Sequence, residues 1–298
     1  MLQRFLDPQV LHGISSLDLV AKTVVDGFVT GLHKSPDFGF SQEFAEYRAY
    51  SPGDDLRHVD WNLFARTERC YLKRYRGETN SQLTVLLDAS NSMKFGSGAV
   101  TKMDYARYVA ASLCYLSIKN QRDPVGLIVF DDEVRNYIRP STRQGQLYRL
   151  MAGLEHAEPA ARTNFGKPMK YFQELLRRRG IVLVISDFYE EPATIVNEIE
   201  PLRFHGSEVV LFHVLDPKEI HPDLKGPSIL VDLETGERLE VIPDYVKTQY
   251  RAKMDNHLQE MKARARAAGL GYHLLVTDKP LDKALTEYLS LRQTQRGA

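Results

Sequence analysis

Long apolar runs are missing from this 298-residue chain. A membrane-spanning helix needs ~20 consecutive apolar residues, and no stretch approaches that length, so no span is expected. The opening segment, MLQRFLDPQVLHG, has no apolar core of the kind a secretory leader carries, and no leader is expected. Cysteine is nearly absent. Cys70 and Cys114 stand alone, without CxxC spacing, which argues against a disulfide framework or a zinc knuckle. Two free thiols fit a reducing compartment, and a cytoplasmic location is expected. Net charge is lacking too: 39 basic residues balance 39 acidic ones. No chain-wide field draws in nucleic acid or an anionic membrane. The richest basic clusters, RRR at 177–179 and KARAR at 262–266, read as solvated helix faces.

Enzyme motifs are missing as well. FGSGAVT (95–101) lacks the third glycine of a dinucleotide loop. ARTNFGKPM (161–169) has Ala161 and Pro168 where a phosphate-binding loop needs Gly and Ser/Thr. Neither HExxH nor GxSxG occurs.

The chain does have alternating strand and helix signals from residue 81 onward. QLTVLLD (82–88), PVGLIVF (124–130), GIVLVIS (180–186) and SEVVLFHVL (207–215) are continuous apolar runs of strand length. Between them lie helical stretches at 102–120, 143–153, 166–178 and 193–203, the first opened by a Thr101/Asp104 capping box. EVRNYIRP (133–140) alternates and predicts an antiparallel neighbour, turned at Asp131-Asp132. SILVDLETGERLEVI (228–242) predicts a hairpin turning at Thr235-Gly236. A long helix follows, with Met254, Leu258, Met261 and Ala265 on one face, then a strand at 271–277 and a helix at 281–291. Buried strands alternating with amphipathic helices predict an α/β fold: a doubly wound, mostly parallel sheet covered on both faces.

Residues 1–80 differ, with a helix near 17–32 and then two strands, about 38–48 and 70–76, around a turn-and-helix insert rich in charge and aromatics. They read as an N-terminal α+β elaboration ahead of a domain spanning 81–298. In the elaboration, Arg48 and Arg57 are expected to pair with Asp54, Asp55 or Asp60. Pro52-Gly53 is expected to set a turn, and the Trp61 ring to pack in the core.

VLLDASNSM (85–93) carries the chemistry. Ligands of open α/β sheets bind beyond the carboxyl ends of the strands. Asp88 stands at one such end and Asp187 at another. Thr163, in the polar turn RTNFG (162–166), can face the same edge. The oxygens of Asp88, Ser90, Ser92, Thr163 and Asp187 suit a hard cation such as Mg²⁺, with Mn²⁺ or Ca²⁺ as alternatives. Read more plainly, Asp, Asn and Ser are turn residues, and Thr163, Asn164 or Asp187 can serve as helix caps.

The order DxSxS, Thr, Asp, each at a strand end, resembles the metal-ion-dependent adhesion site of von Willebrand factor A domains. That resemblance implies a mostly parallel sheet with helices on both sides, and a magnesium ion that takes a carboxylate from a bound partner. A second stretch, EFAEYRAYSPGDDLRHVDWNLFARTERCYLKRYRGE (43–78), resembles the signature of the bacterial family known as domain of unknown function fifty-eight. It includes Arg48, Tyr50, Pro52, Gly53, Asp54, Asp55, Arg57, Asp60 and Trp61. Members of that family are often encoded beside a MoxR-type AAA ATPase, which implies that ATPase as a partner. The expected function is a non-enzymatic, metal-dependent protein-binding adaptor between the ATPase and a client protein. The alternatives are a metal-dependent phosphatase or phosphotransferase using Asp88 as nucleophile, and a scaffold whose metal is purely structural.

Overall fold

The computed structural model describes residues 6–32, 44–50, 59–67, 69–75, 82–160, 165–176, 178–203, 206–224, 226–233, 236–245 and 249–297. The chain opens with α1 (Pro8–Leu11), where the Asp7 carboxylate accepts from Gln9 N–H at 2.9 Å, and α2 (Leu17–Leu32). A small antiparallel sheet pairs β1 (Phe44–Ala49) with β2 (Tyr71–Tyr75), and α3 (Trp61–Thr67) lies between them in sequence. The remainder alternates through β3 (Gln82–Asp88), α4 (Lys102–Tyr115), β4 (Val125–Phe130), β5 (Val134–Ser141), α5 (Gln146–Glu155), α6 (Gly166–Leu175), β6 (Gly180–Ser186), α7 (Pro192–Ile199) and β7 (Glu208–Leu215). Then come α8 (Pro217–Ile220), the hairpin β8 (Ser228–Val231) and β9 (Arg238–Val241), α9 (Pro243–Tyr245), α10 (Arg251–Ala267), β10 (Gly271–Val276) and α11 (Asp282–Gly297).

Six strands form the central sheet, in the order β10-β7-β6-β3-β4-β5. All neighbours are parallel except β4 and β5, which pair antiparallel. The mixed α/β architecture with a mostly parallel sheet is therefore what the chain forms.

The continuous apolar strands have a simple cause. Successive side chains point to opposite faces, and both faces are covered. Leu83, Val85 and Leu87 of β3 join one core with α2, α4, α5 and α11. Leu86 joins the other, with Met169 and Phe172 of α6, Ile195 of α7 and Met261 of α10. In α2, Leu17, Val20, Ala21, Val24, Val25 and Phe28 recur at helical spacing and sink into the first core. At the start of α4 both halves of the capping box are present: Asp104 N–H donates to Thr101 Oγ1 at 3.1 Å, and Thr101 N–H to Asp104 Oδ2 at 3.2 Å.

Trp61 departs from expectation. Its ring is 57% exposed and meets Phe64 edge-on at 6.0 Å rather than filling the core. The reason is local. Asp60, not Trp61, is the buried residue of the pair, and its carboxylate accepts from Leu63 N–H at 3.1 Å, which starts α3 with Trp61 turned outward. Pro52, Gly53, Asp54, Asp55, Arg57 and the Arg48 side chain lie outside the described residues, so their expected pairings go with them.

Gly126 in β4 shows how tightly the antiparallel edge is packed. A Cβ there would stand 2.8 Å from the Pro140 ring and 2.9 Å from Ile138 O. Gly126→Ala is expected to lower stability by about 1–3 kcal/mol, the usual cost of overpacking, in a urea unfolding titration. An unchanged midpoint would show that β5 yields freely.

Candidate functional site

From β3 the chain moves outward to β4 and β5, then crosses back to place β6 on the other side of β3. The strand order reverses there, and a crevice opens at such a switch point beyond the strands' carboxyl ends. Asp88 ends β3, and Ser186 ends the adjacent β6 with Asp187 next in sequence. Asp88, Ser90 and Asp187 are buried, and Ser92 is 9% exposed.

Local hydrogen bonds fix the cluster. Asp88 Oδ1 accepts from Ser90 N–H at 2.8 Å, and its Oδ2 accepts from Ser186 Oγ at 2.5 Å. The Ser90 and Ser92 hydroxyls lie 2.9 Å apart. Ser92 sits in a single 3₁₀ turn, Asn91–Lys94, anchored in the core by Met93. Phe188 has a left-handed φ of 46°, unusual for a bulky residue. Its N–H donates to Ser186 Oγ at 3.1 Å, its O accepts from His257 Nε2 at 2.9 Å, and its ring stacks on Phe165. These contacts hold Asp187 where β6 delivers it. Thr163 lies outside the described residues; the flanking Ala160 N–H donates to Ala89 O at 3.1 Å.

Lys102, the first residue of α4, enters the cluster unannounced by any motif. Its ammonium is fully buried and lies 2.7 Å from both Asp187 Oδ2 and Glu219 Oε1. Tyr189 presents its ring face at 4.7 Å, a cation–π distance. Burial alone would lower the Lys102 pKa, but Asp187 and Glu219 outweigh it and hold the group above its ordinary value. The second oxygen of Glu219 accepts from Asp216 N–H at 2.8 Å. Asp216 follows β7 and accepts from Ser97 N–H and Ser97 Oγ, at 2.8 and 2.6 Å. A sequence signal for part of this network existed. LDPKE (215–219) places a capping box directly after an apolar strand.

The donor chemistry fits a divalent cation. Asp88 and Asp187 bring two carboxylates to the switch point, and the Lys102 ammonium pairs with Asp187 and with Glu219. Burial first, and then the Asp187 charge, hold Asp88 well above the ordinary carboxylate range, while hydrogen bonds from Ser186 and Ser90 pull it back only in part. A nearby positive charge favours the ionised form of a buried carboxylate. The described residues contain no group of three or more His, Cys, Asp or Glu side chains arranged for a metal; the set here is two aspartates with hydroxyls.

Fold and site together define a mixed α/β protein with an acid-and-hydroxyl cluster at the switch point of its sheet. Residues 46–264 match the family described as Protein of unknown function DUF58, and the chain belongs to that family. It is 27% identical over 299 residues to the uncharacterized protein Rv1480 of Mycobacterium tuberculosis, covering 98% of this chain and 92% of that one. It is also 27% identical over 156 residues to the uncharacterized protein MAV169 of Mycobacterium avium, covering 51% and 88%. Among solved structures, the conserved hypothetical protein BatB from Bacteroides thetaiotaomicron aligns with a TM-score of 0.46 at 16% identity, over 72% of this chain and 99% of that one. An aerotolerance-related membrane protein from Bacteroides fragilis aligns with a TM-score of 0.49 at 17% identity, over 70% and 98%. In this chain, no helix among the described residues is long and apolar enough to cross a membrane.

Proposed function

We propose that this chain is a non-enzymatic, metal-dependent protein-binding adaptor with a von Willebrand factor A-like domain, acting in the cytoplasm. Asp88, Ser90, Ser92, Thr163 and Asp187 would hold Mg²⁺, or Mn²⁺ or Ca²⁺ in its place. The observation that carries this reading is the pair of buried aspartates at the switch point, with Asp88 raised by burial and by the Asp187 charge. Helices on both faces of the sheet and its strand order support the A-like reading. A bound divalent ion would supply an open position for a partner's carboxylate. The chain's own part is orientation: Ser186 and Ser90 N–H fix Asp88, Lys102 fixes Asp187, and the 3₁₀ turn sets the two serine hydroxyls side by side. The partner implied by the family resemblance is a MoxR-type AAA ATPase, with a client protein beyond it.

Pull-down of that ATPase by the full chain should need divalent metal and fail in EDTA. Ser90→Ala with Ser92→Ala should lose it likewise, with an unchanged circular dichroism spectrum. In calorimetry the same variant should bind Mg²⁺ at least ~10–100-fold more weakly, the range found even for groups one step removed from a metal. Metal-independent capture would overturn the adaptor. Lys102 favours a second reading, a phosphatase or phosphotransferase with Asp88 as nucleophile, because it puts a cation beside the carboxylates. Against it, Ser90 stands where a second carboxylate would act as acid or base, and two carboxylates already hold the ammonium. Mg²⁺-dependent phosphate release abolished by Asp88→Asn would promote that reading.

A further inference from the structure

Six of the thirteen exposed large apolar side chains among the described residues fall within 229–242: Ile229, Leu230, Val231, Leu233, Leu239 and Ile242. They belong to or flank the β8–β9 hairpin, a two-stranded sheet of its own. Two strands alone are marginal in water, and a concentrated exposed apolar patch marks an interaction surface. Among the described residues β9 pairs with β8 alone, so no described strand lies along its outer edge.

The pattern of β9 says what completes that edge. Asp232 N–H donates to Glu237 O at 2.9 Å, so the position just beyond the ladder is a hydrogen-bonded pair. Such pairs alternate along an antiparallel ladder. Leu230↔Leu239 is therefore hydrogen-bonded within the hairpin, while Val231↔Arg238 and Ile229↔Glu240 are not. The backbone N–H and C=O of Arg238 and Glu240 consequently face outward, with Leu239 between them. A twofold axis at Leu239 would set Arg238 opposite Glu240 of a second copy, and Glu240 opposite its Arg238. Each of those pairs would exchange two backbone hydrogen bonds and match opposite charges. The same register sets Leu239 against its own copy at a close, non-hydrogen-bonded position, flanked by the two Leu230 side chains. On the other face, Ile229 and Val231 flank the charge pairs.

We infer that β9 is a dimerisation edge, pairing antiparallel with β9 of a second copy of this chain to make a four-stranded sheet β8-β9-β9-β8. The strand is self-complementary in charge, apolar content and hydrogen-bond phase at one register, as a twofold interface requires. This inference does not depend on the metal cluster.

Sedimentation of the full chain over a concentration series tests it. Wild type should dimerise. Arg238→Glu alone and Glu240→Arg alone each place like charges opposite one another twice per interface, and each should weaken the dimer ~10-fold or more. The double variant Arg238→Glu/Glu240→Arg restores opposite pairs and should recover the dimer. All these positions are exposed, so thermal midpoints should not move. In a Cys70→Ser background, Leu239→Cys should cross-link to itself under mild oxidation, since a non-hydrogen-bonded pair has the Cα spacing a disulfide accepts; Ile229→Cys should not. A monomer at high micromolar concentration, a dimer indifferent to the charge swaps, or cross-linking at Ile229→Cys instead of Leu239→Cys would each overturn the proposal.

Discussion

Lys102→Met is expected to cost about 3–5 kcal/mol of folding stability, the range for breaking a buried ion pair by removing one partner. Methionine nearly matches the shape of the lysine stem, so little packing is lost. The loss falls on Asp187, 1% exposed, and Glu219, 11% exposed, which keep their carboxylates without the ammonium between them. Glu219 is already pushed upward by burial, with Lys102 holding it back; without the lysine it should take up a proton more readily. Arg264→Ala is the control, because its pair with Glu260 is roughly half exposed on both sides and should contribute under ~1 kcal/mol. Urea midpoints of the two variants decide the matter. A Lys102→Met loss no larger than the control's would mean the buried triad is not structural. If the cluster also takes a divalent cation, added Mg²⁺ should raise the Lys102→Met midpoint more than the wild-type one.

Acid should unmask His213. The ring is completely buried in β7, shares a 2.8 Å hydrogen bond with the Tyr272 hydroxyl, and meets Phe188, His257 and Tyr272 edge-on. Burial first, then the neighbouring His257, and more weakly Lys102, drive its pKa down to about 3, against a hydrogen bond that the ring donates to the Asp187 backbone carbonyl, which raises it. Unfolded, the imidazole titrates near 6.5. Between these values the unfolded chain binds a proton that the folded chain refuses. Its contribution to stability is therefore complete above pH 6.5 and is lost as pH falls toward 3, at up to about 1.4 kcal/mol per pH unit. His257 is lowered too, chiefly by burial, and adds in the same direction. Asp88 works the other way, its raised pKa letting the folded chain take the extra proton. The informative quantity is thus the difference in slope between wild type and His213→Phe in EDTA. From pH 6.5 to pH 4.5 the wild type should lose ground to the variant steadily, even though the variant starts lower for want of the Tyr272 hydrogen bond. Parallel profiles would mean that His213 titrates normally in the folded chain.

Much of this architecture was legible because burial on both faces makes a strand uniformly apolar. GIVLVIS and QLTVLLD lie where they were expected, as do α2, the Thr101/Asp104 cap and the hairpin's position. Of the candidate site, the placement of Asp88 and Asp187 at adjacent strand ends was legible, because each follows its strand directly. What local pattern could not supply was Lys102. A lysine at the first turn of a helix looks the same in sequence whether it faces solvent or two carboxylates from distant segments, at 187 and 219. Trp61 failed for the converse reason: size and apolarity argue for burial, but the Asp60 cap decides which way the helix's first residue turns. The short helices α1, α8 and α9 were not foreseen either, since none is long enough to show a period.

The core that holds α2 also has consequences for the chain while it is being made. Leu6 O accepts from Leu281 N–H at 3.1 Å, and the α2 side chains share a core with Leu285 and Tyr288 of α11. The apolar stripe of α2 packs chiefly on α4 and α5 and waits for both before it is covered. At about 5–20 residues per second, the stretch from the end of α2 to the end of α5 corresponds to roughly 6–25 seconds of exposure. During that interval Val20, Val24 and Phe28 are available to aggregate or to be captured by a holding chaperone. Removing residues 6–32 should leave a gap on the α4 side of the sheet for the same reason. α2 is then the piece that seals that side of the sheet.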